Sequence, residues 1–154
     1  MAQAGSVMTP ELKKLVGVEC PPTVWEIEKG AIVKFAESVD DPNPLWRDEK
    51  AARKTHYGGI VAPPTFSAML RNDALQDMVF KLELSVKRVL NGGNELEFFQ
   101  PIRPGDTITV TGKLANIAER EGTVGRMLIL IFEYTFKNQF GEVVCIGRNT
   151  IIRY

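Results

Sequence analysis

From Val86 to the C-terminus the sequence reads as strand after strand, and this half limits the fold more than any other feature. Residues 95–99 form a β-rich run closed by the Pro101 and Gly105 segment. Residues 107–117 alternate, with Ile108, Val110 and Leu114 on or near one face. Residues 126–137 make a long strand, 138–141 a hairpin turn, and 142–154 a last strand. Asn91-Gly92-Gly93-Asn94 carries turn chemistry. Alternation with period two puts the apolar groups on one face of a sheet. A sheet with one apolar face must bury it against another element.

The preceding half supplies the cover. Pro10 opens a short helix that Gly17 ends. Residues 23–28 alternate as an early strand, and residues 28–38 switch to a helical stripe of Ile32, Val33, Phe35 and Ala36. Asp40 to Pro44 stops that helix, because a residue before proline avoids the αR region. Residues 49–55 suit a short polar helix ended by Gly58-Gly59. Pro63-Pro64 starts a further helix over residues 65–73, with Phe66, Met69 and Leu70 on one face. Residues 74–84 read as either more helix or loop. Helices grouped ahead of an antiparallel sheet give the class α+β, with the sheet curling round the helix at 65–73. A chain of 154 residues implies one domain, residues 1–154, with residues 1–15 as an N-terminal extension.

Charge and cysteine usage narrow the function classes. Nineteen Lys and Arg balance nineteen Asp and Glu, so no nucleic-acid or membrane-surface partner is expected. The longest apolar run, residues 127–132, is too short to cross a bilayer, and the N-terminus has no signal-peptide core. Cys20 and Cys145 lie in no metal-type spacing, so a reducing cytoplasm and no metal are expected.

Three stretches carry a resemblance. They are Phe35-Ala36 leading into Asp41-Pro42-Asn43-Pro44-Leu45, then residues 57–66 (YGGIVAPPTF), then residues 99–106 (FQPIRPGD). Together they resemble the MaoC-like hydratase/dehydratase family. The APPTF form is similar to its N-terminal MaoC dehydratase branch, including non-catalytic subunits of mycobacterial hydroxyacyl-ACP dehydratases. The resemblance implies a hot-dog fold, an antiparallel sheet wrapped around a central helix. It also implies addition or removal of water across the C2–C3 bond of an acyl-CoA or acyl-ACP thioester, with no further cofactor. An Asp and a His spaced Asp-x-Asn-x-x-His would hold the water. Laid on this chain, Asp41 and Asn43 match, and Trp46 stands at the His position.

Hydration needs a base for water and an acid for the α-carbon, and carboxylate and imidazole can both be tuned towards neutrality. Indole has one N–H donor and no proton to exchange near neutral pH. Asp41 reads equally as a base or as a turn residue, and Asn43 as a loop former. His56, the sole histidine, reads as a surface or packing residue or as a recruited substitute. Catalytic relatives offer a glycine N–H near the start of the central helix to the thioester oxygen. The matching place here is close to Pro63-Pro64, and proline has no N–H to give. Tyr57, Gly58, Gly59, Ile60, Pro64, Phe66, Met69 and Leu70 are the expected substrate-binding residues. The expected function is therefore the substrate-binding half of a hydratase/dehydratase, paired with a homologous MaoC-like catalytic subunit. The alternatives are a self-sufficient homodimer using Asp41 with or without His56, and a non-enzymatic acyl-CoA-binding or assembly subunit. A hot-dog thioesterase is weaker, since the DxN loop argues against it.

Overall fold

The computed structural model describes residues 6–154; residues 1–5 of the expected N-terminal extension lie outside them. Five strands form one antiparallel sheet in the order β1-β3-β4-β5-β2. They are β1 (Thr23–Glu26), β2 (Val89–Phe98), β3 (Thr107–Gly122), β4 (Gly125–Lys137) and β5 (Val143–Arg153). Four short helices accompany them: α1 (Pro10–Lys14), α2 (Lys29–Ser38), α3 (Glu49–Arg53) and α4 (Asp73–Phe80). The class is α+β and the fold is the hot-dog fold.

The alternation read from the sequence sets the faces of the sheet. Ile108, Val110 and Leu114 of β3 and Leu128, Leu130 and Phe132 of β4 all point inward and are buried. Bulges keep this phase where the strands bend. Ala115 is the extra residue on β3, and Val144 the extra residue between Phe136 and Lys137 pairings on β5. The second bulge explains how consecutive residues Val144 and Cys145 are both buried.

Two expectations need correction. Asn91-Gly92-Gly93-Asn94 is not a turn but a bulge inside β2, where Asn91 pairs with Ile151 and Gly93 with Thr150. A Cβ on Gly92 would sit 3.0 Å from Thr150 Cγ2, so glycine lets β2 lie close on β5. The continuous helix expected over residues 65–73 is also absent. Pro64–Met69 forms a 3₁₀ turn, the chain extends at residues 70–72, and α4 follows. The cause is competition for the backbone groups. Trp25 Nε1 donates to the Arg71 carbonyl at 3.1 Å, removing it from a helical ladder. Asn72 Nδ2 donates to the carbonyls of Pro21 and Val110, both at 2.9 Å, anchoring the extended residues to the sheet side.

The broken segment still fills the concave face. Phe66 and Leu70 pack with Ile108, Val110, Phe136 and Val144, while Leu75 and Val79 of α4 pack with Leu114, Leu128, Leu130 and Phe132. Tyr134 touches both clusters. At the sheet edge, β2 leaves Val89, Leu90 and Phe98 about half exposed.

Candidate functional site

The loop at Asp41 is built one hydrogen bond at a time. Asp40 takes the left-handed conformation with φ 53°, which aspartate tolerates better than most side chains. That geometry closes α2 with a Schellman pair: Asp40 N–H donates to Glu37 O and Asp41 N–H to Ala36 O, at 3.1 and 2.8 Å. Asp41 is thereby presented at a fixed point just past the helix. Its Oδ1 accepts from the Asn43 N–H at 3.0 Å, an Asx turn. Asn43 Oδ1 in turn accepts from the Leu45 N–H and caps the 3₁₀ turn Pro44–Trp46. That turn swings the indole back, and Trp46 Nε1 donates to Asp41 Oδ2 at 2.8 Å.

Both carboxylate oxygens of Asp41 are therefore engaged, one by a backbone N–H and one by an indole N–H. Where a water held between carboxylate and imidazole is needed for hydration, this loop holds a donor with no basic lone pair. His56 is exposed and lies against Tyr57, ring centroids 3.9 Å apart. It is not among the hydrogen-bond partners of Asp41.

A groove of about 320 Å³ opens beside this loop. Trp46, Tyr57 and Pro64 line it, together with Val61, Pro63, Phe98, Phe99, Gln100 and Cys145. The wall is aromatic and apolar, as suits an acyl chain better than a charged ligand. The loop from Tyr57 to Ala62 is pinned by the segment at Ile102 and Arg103. Arg103 Nη1 donates to Tyr57 O at 2.8 Å, and Ala62 N–H donates to Ile102 O at 2.8 Å. Arg103 is held in place by its own N–H, which donates to Asp106 Oδ2 at 2.7 Å.

The other residues expected at the site are dispersed. Ile60 and Phe66 are buried in the core, and Phe66 meets Phe35 edge-on at 5.5 Å. Met69 is about half exposed. Leu70 lines a different cavity, on the far side of the 3₁₀ turn. Gly58 takes φ 70° in the exposed bend before the groove, and Gly59 sits near Glu49. Glu49 accepts from Lys29 at 2.9 Å and Arg53 at 3.1 Å, and these contacts hold its carboxyl below the usual range. Phe98, Phe99, Gln100 and Cys145 are lining residues the sequence did not single out. The FQPIRPGD stretch, as a mark of the family, carried the only signal for Phe99 and Gln100, while Phe98 and Cys145 lie outside it. Burial raises the Cys145 thiol pKa, which disfavours the thiolate at this wall.

Comparison with known proteins agrees with this architecture. Residues 14–146 match the family described as FAS1-like, dehydratase domain region. A UPF0336 protein of Saccharopolyspora erythraea is 33% identical over 143 residues, covering 91% of this chain and 89% of the relative. The MaoC-like dehydratase of Rhodospirillum rubrum superposes with a TM-score of 0.71 at 27% identity, covering 93% of this chain and 95% of its own. The C-terminally truncated HadBC (3R-hydroxyacyl-ACP dehydratase) complex of Mycobacterium tuberculosis gives a TM-score of 0.76 at 22% identity, covering 90% and 96%, which is a likeness of fold. A match over most of the chain, joined to a MaoC-like hot-dog architecture, places this protein in the FAS1-like dehydratase region family of hydratases and dehydratases.

Proposed function

We propose that this chain is the substrate-binding half of a hydratase/dehydratase that interconverts 2-enoyl and 3-hydroxyacyl thioesters. In this reading a homologous MaoC-like chain with an intact Asp/His pair performs the proton transfers. One observation carries the reading: the Trp46 indole N–H occupies the Asp41 carboxylate at 2.8 Å, where an imidazole would complete the pair. The prolines at the groove, Pro63 and Pro64, add to it, because neither has an N–H to offer a developing oxyanion. What the chain retains is the acyl groove of Trp46, Tyr57, Pro64, Phe98 and Phe99.

The free edge of β2 supports a partner. Its unpaired backbone groups and half-exposed Val89, Leu90 and Phe98 invite another strand. The groove ends beside this edge, at Phe98 and Phe99, so a chain pairing there would also wall the site. The HadBC neighbour is itself described as a complex, and its likeness supports pairing at the level of fold. We read the whole of residues 1–154 as one domain and the setting as cytoplasmic, in keeping with two buried free thiols.

The test is reconstitution. Enoyl-CoA hydration is measured for this chain, for a MaoC-like chain carrying Asp-x-Asn-x-x-His, and for the two purified together. Turnover is expected in the mixed assembly, with Asp41→Asn in this chain leaving the rate within a few-fold. Full turnover by this chain alone, abolished by Asp41→Asn or by His56→Ala in a folded protein, would instead establish the self-sufficient homodimer.

A further inference from the structure

The outer face of the sheet carries a row of alternating charge that ends on the free edge. Lys113 on β3, Glu133 on β4, Arg148 on β5 and Glu95 on β2 stand directly opposite one another in successive strand pairs. Directly opposed residues of an antiparallel pair share a face, so these side chains form one line across the sheet. Glu133 is engaged on both sides: Oε1 lies 3.4 Å from Lys113 Nζ and Oε2 3.1 Å from Arg148 Nε. Glu95 ends the line. It is exposed and forms no ion pair among the described residues, while Arg148 is held by Glu133. Glu97, two residues on, shares that face and is likewise exposed without an ion pair among the described residues.

The rest of β2 is not built as a blocked edge. Edge strands are closed to pairing by proline or by charges that point inward. Here the inner side bears Asn94, Leu96 and Phe98, and no proline lies between Val89 and Phe98. Val89, Leu90 and Phe98 are about half exposed. Acids confined to the outer face leave the edge backbone open and set a charge requirement on what pairs with it. A second copy of this chain does not meet that requirement. Val89–Phe98 contains no Lys or Arg, so antiparallel self-pairing brings Glu95 and Glu97 no cation from β2 and adds a second set of carboxylates to the same face. The nearest base on that face, Arg88, lies over the Tyr154 ring at 5.9 Å and exchanges backbone hydrogen bonds with Tyr154. For Arg88 of a second copy to stand opposite Glu95 or Glu97, the two-fold axis would fall at Gly92, where the bulge already breaks the ladder.

We infer that β2 receives an antiparallel strand of the MaoC-like catalytic chain that carries Lys or Arg opposite Glu95, so that the Lys113–Glu133–Arg148–Glu95 row continues into the partner's sheet. The inference rests on the substrate-binding-half reading above and adds the chemistry by which that partner is chosen over a second copy. Backbone pairing and the apolar side chains of β2 supply affinity, and the charge supplies register and choice of partner. A strand slipped by one residue turns its base to the other face, away from Glu95.

The experiment measures association of this chain with a MaoC-like chain bearing Asp-x-Asn-x-x-His, by sedimentation at low and at high salt. Wild type, Glu95→Gln, Glu95→Lys and Glu97→Lys are compared, with Glu121→Lys at the far end of β3 as the control. A thermal melt of each lone variant checks its folding. Glu95→Lys is expected to weaken the assembly about fivefold at low salt and Glu95→Gln about twofold, as reversal and loss of one cross-strand ion pair imply. Glu97→Lys should weaken it less than Glu95→Lys, and Glu121→Lys should leave it unchanged. High salt should shrink every loss, because exposed pairs are screened. Wild-type affinity for Glu95→Lys at low salt, an equal loss with Glu121→Lys, or a loss that ignores salt would overturn the inference. An active assembly in those cases leaves the substrate-binding-half reading standing. A stable homodimer of the lone chain that Glu95→Lys disrupts would also overturn the inference, since it places the base in a second copy. No association of the wild type with the MaoC-like chain would remove the partner reading and this inference with it.

Discussion

Replacing Trp46 with Phe keeps an aromatic ring against the core and deletes one donor. The lost bond is Nε1–H to Asp41 Oδ2, 2.8 Å long and part-buried. A hydrogen bond to a charged group contributes about 1.5–3 kcal/mol when well buried, and partial exposure lowers that. We expect the pair to be worth about 1–1.5 kcal/mol, or a melting-temperature loss of roughly 2–6 °C for a chain of this size. Lost packing of the larger indole adds to the single-variant effect, so the pair is isolated by a double-mutant cycle with Asp41→Ala. The assay is equilibrium urea unfolding of the wild type, both single variants and the double variant. Protomer concentration is held fixed, since association shifts apparent stability. A coupling energy under about 0.3 kcal/mol, within ordinary additivity scatter, would refute the claim that the indole holds the carboxylate.

Other expectations follow from packing and burial. Gly112 is a close approach in the middle of β3: a Cβ there would lie 2.8 Å from Leu75 Cδ2 and 3.0 Å from Tyr134 Cδ1. Gly112→Ala should cost about 1–3 kcal/mol of stability by thermal melting, and an unchanged melt would mean α4 packs less tightly than described. Phe132→Ala removes a fully buried ring between β4 and α4 and should cost about 3–5 kcal/mol by urea unfolding. Alkali gives a third test. Burial raises the pKa values of Cys20, Cys145 and Tyr134, so the folded state holds these protons more tightly than the unfolded chain. Stability should be full below the unfolded thiol value of about 8.5 and should fall as pH rises through the raised folded values. A flat stability profile across that window would contradict the burial.

Much of the fold was legible because period-two alternation is a local signal. Ile108, Val110 and Leu114 face inward in β3 as their spacing implies. The helix expected at residues 65–73 was not legible as a break. Its interruption depends on Trp25 and Asn72 reaching carbonyls distant in sequence, and no local pattern encodes such bonds. Asn91-Gly92-Gly93-Asn94 misled for the opposite reason. Glycine at a bulge and glycine at a turn look alike until the partner strand is known. At the site, the identities of Asp41, Asn43 and Trp46 gave the chemistry, but the direct bond between the first and last came only with the 3₁₀ turn. Tyr57 and Pro64 reached the groove, whereas Phe66 faces the core and Leu70 the second cavity, because the broken segment aims successive residues to different sides.

The most direct measurement asks whether this polypeptide by itself moves a proton. The purified chain is incubated in D₂O with enoyl-CoA thioesters, and deuterium at C2 and hydrated product are followed by mass spectrometry. The account predicts neither above the protein-free control, with both arising once a MaoC-like chain bearing the Asp/His pair is added. Deuterium incorporated by the lone chain, and lost on Asp41→Asn, would contradict it.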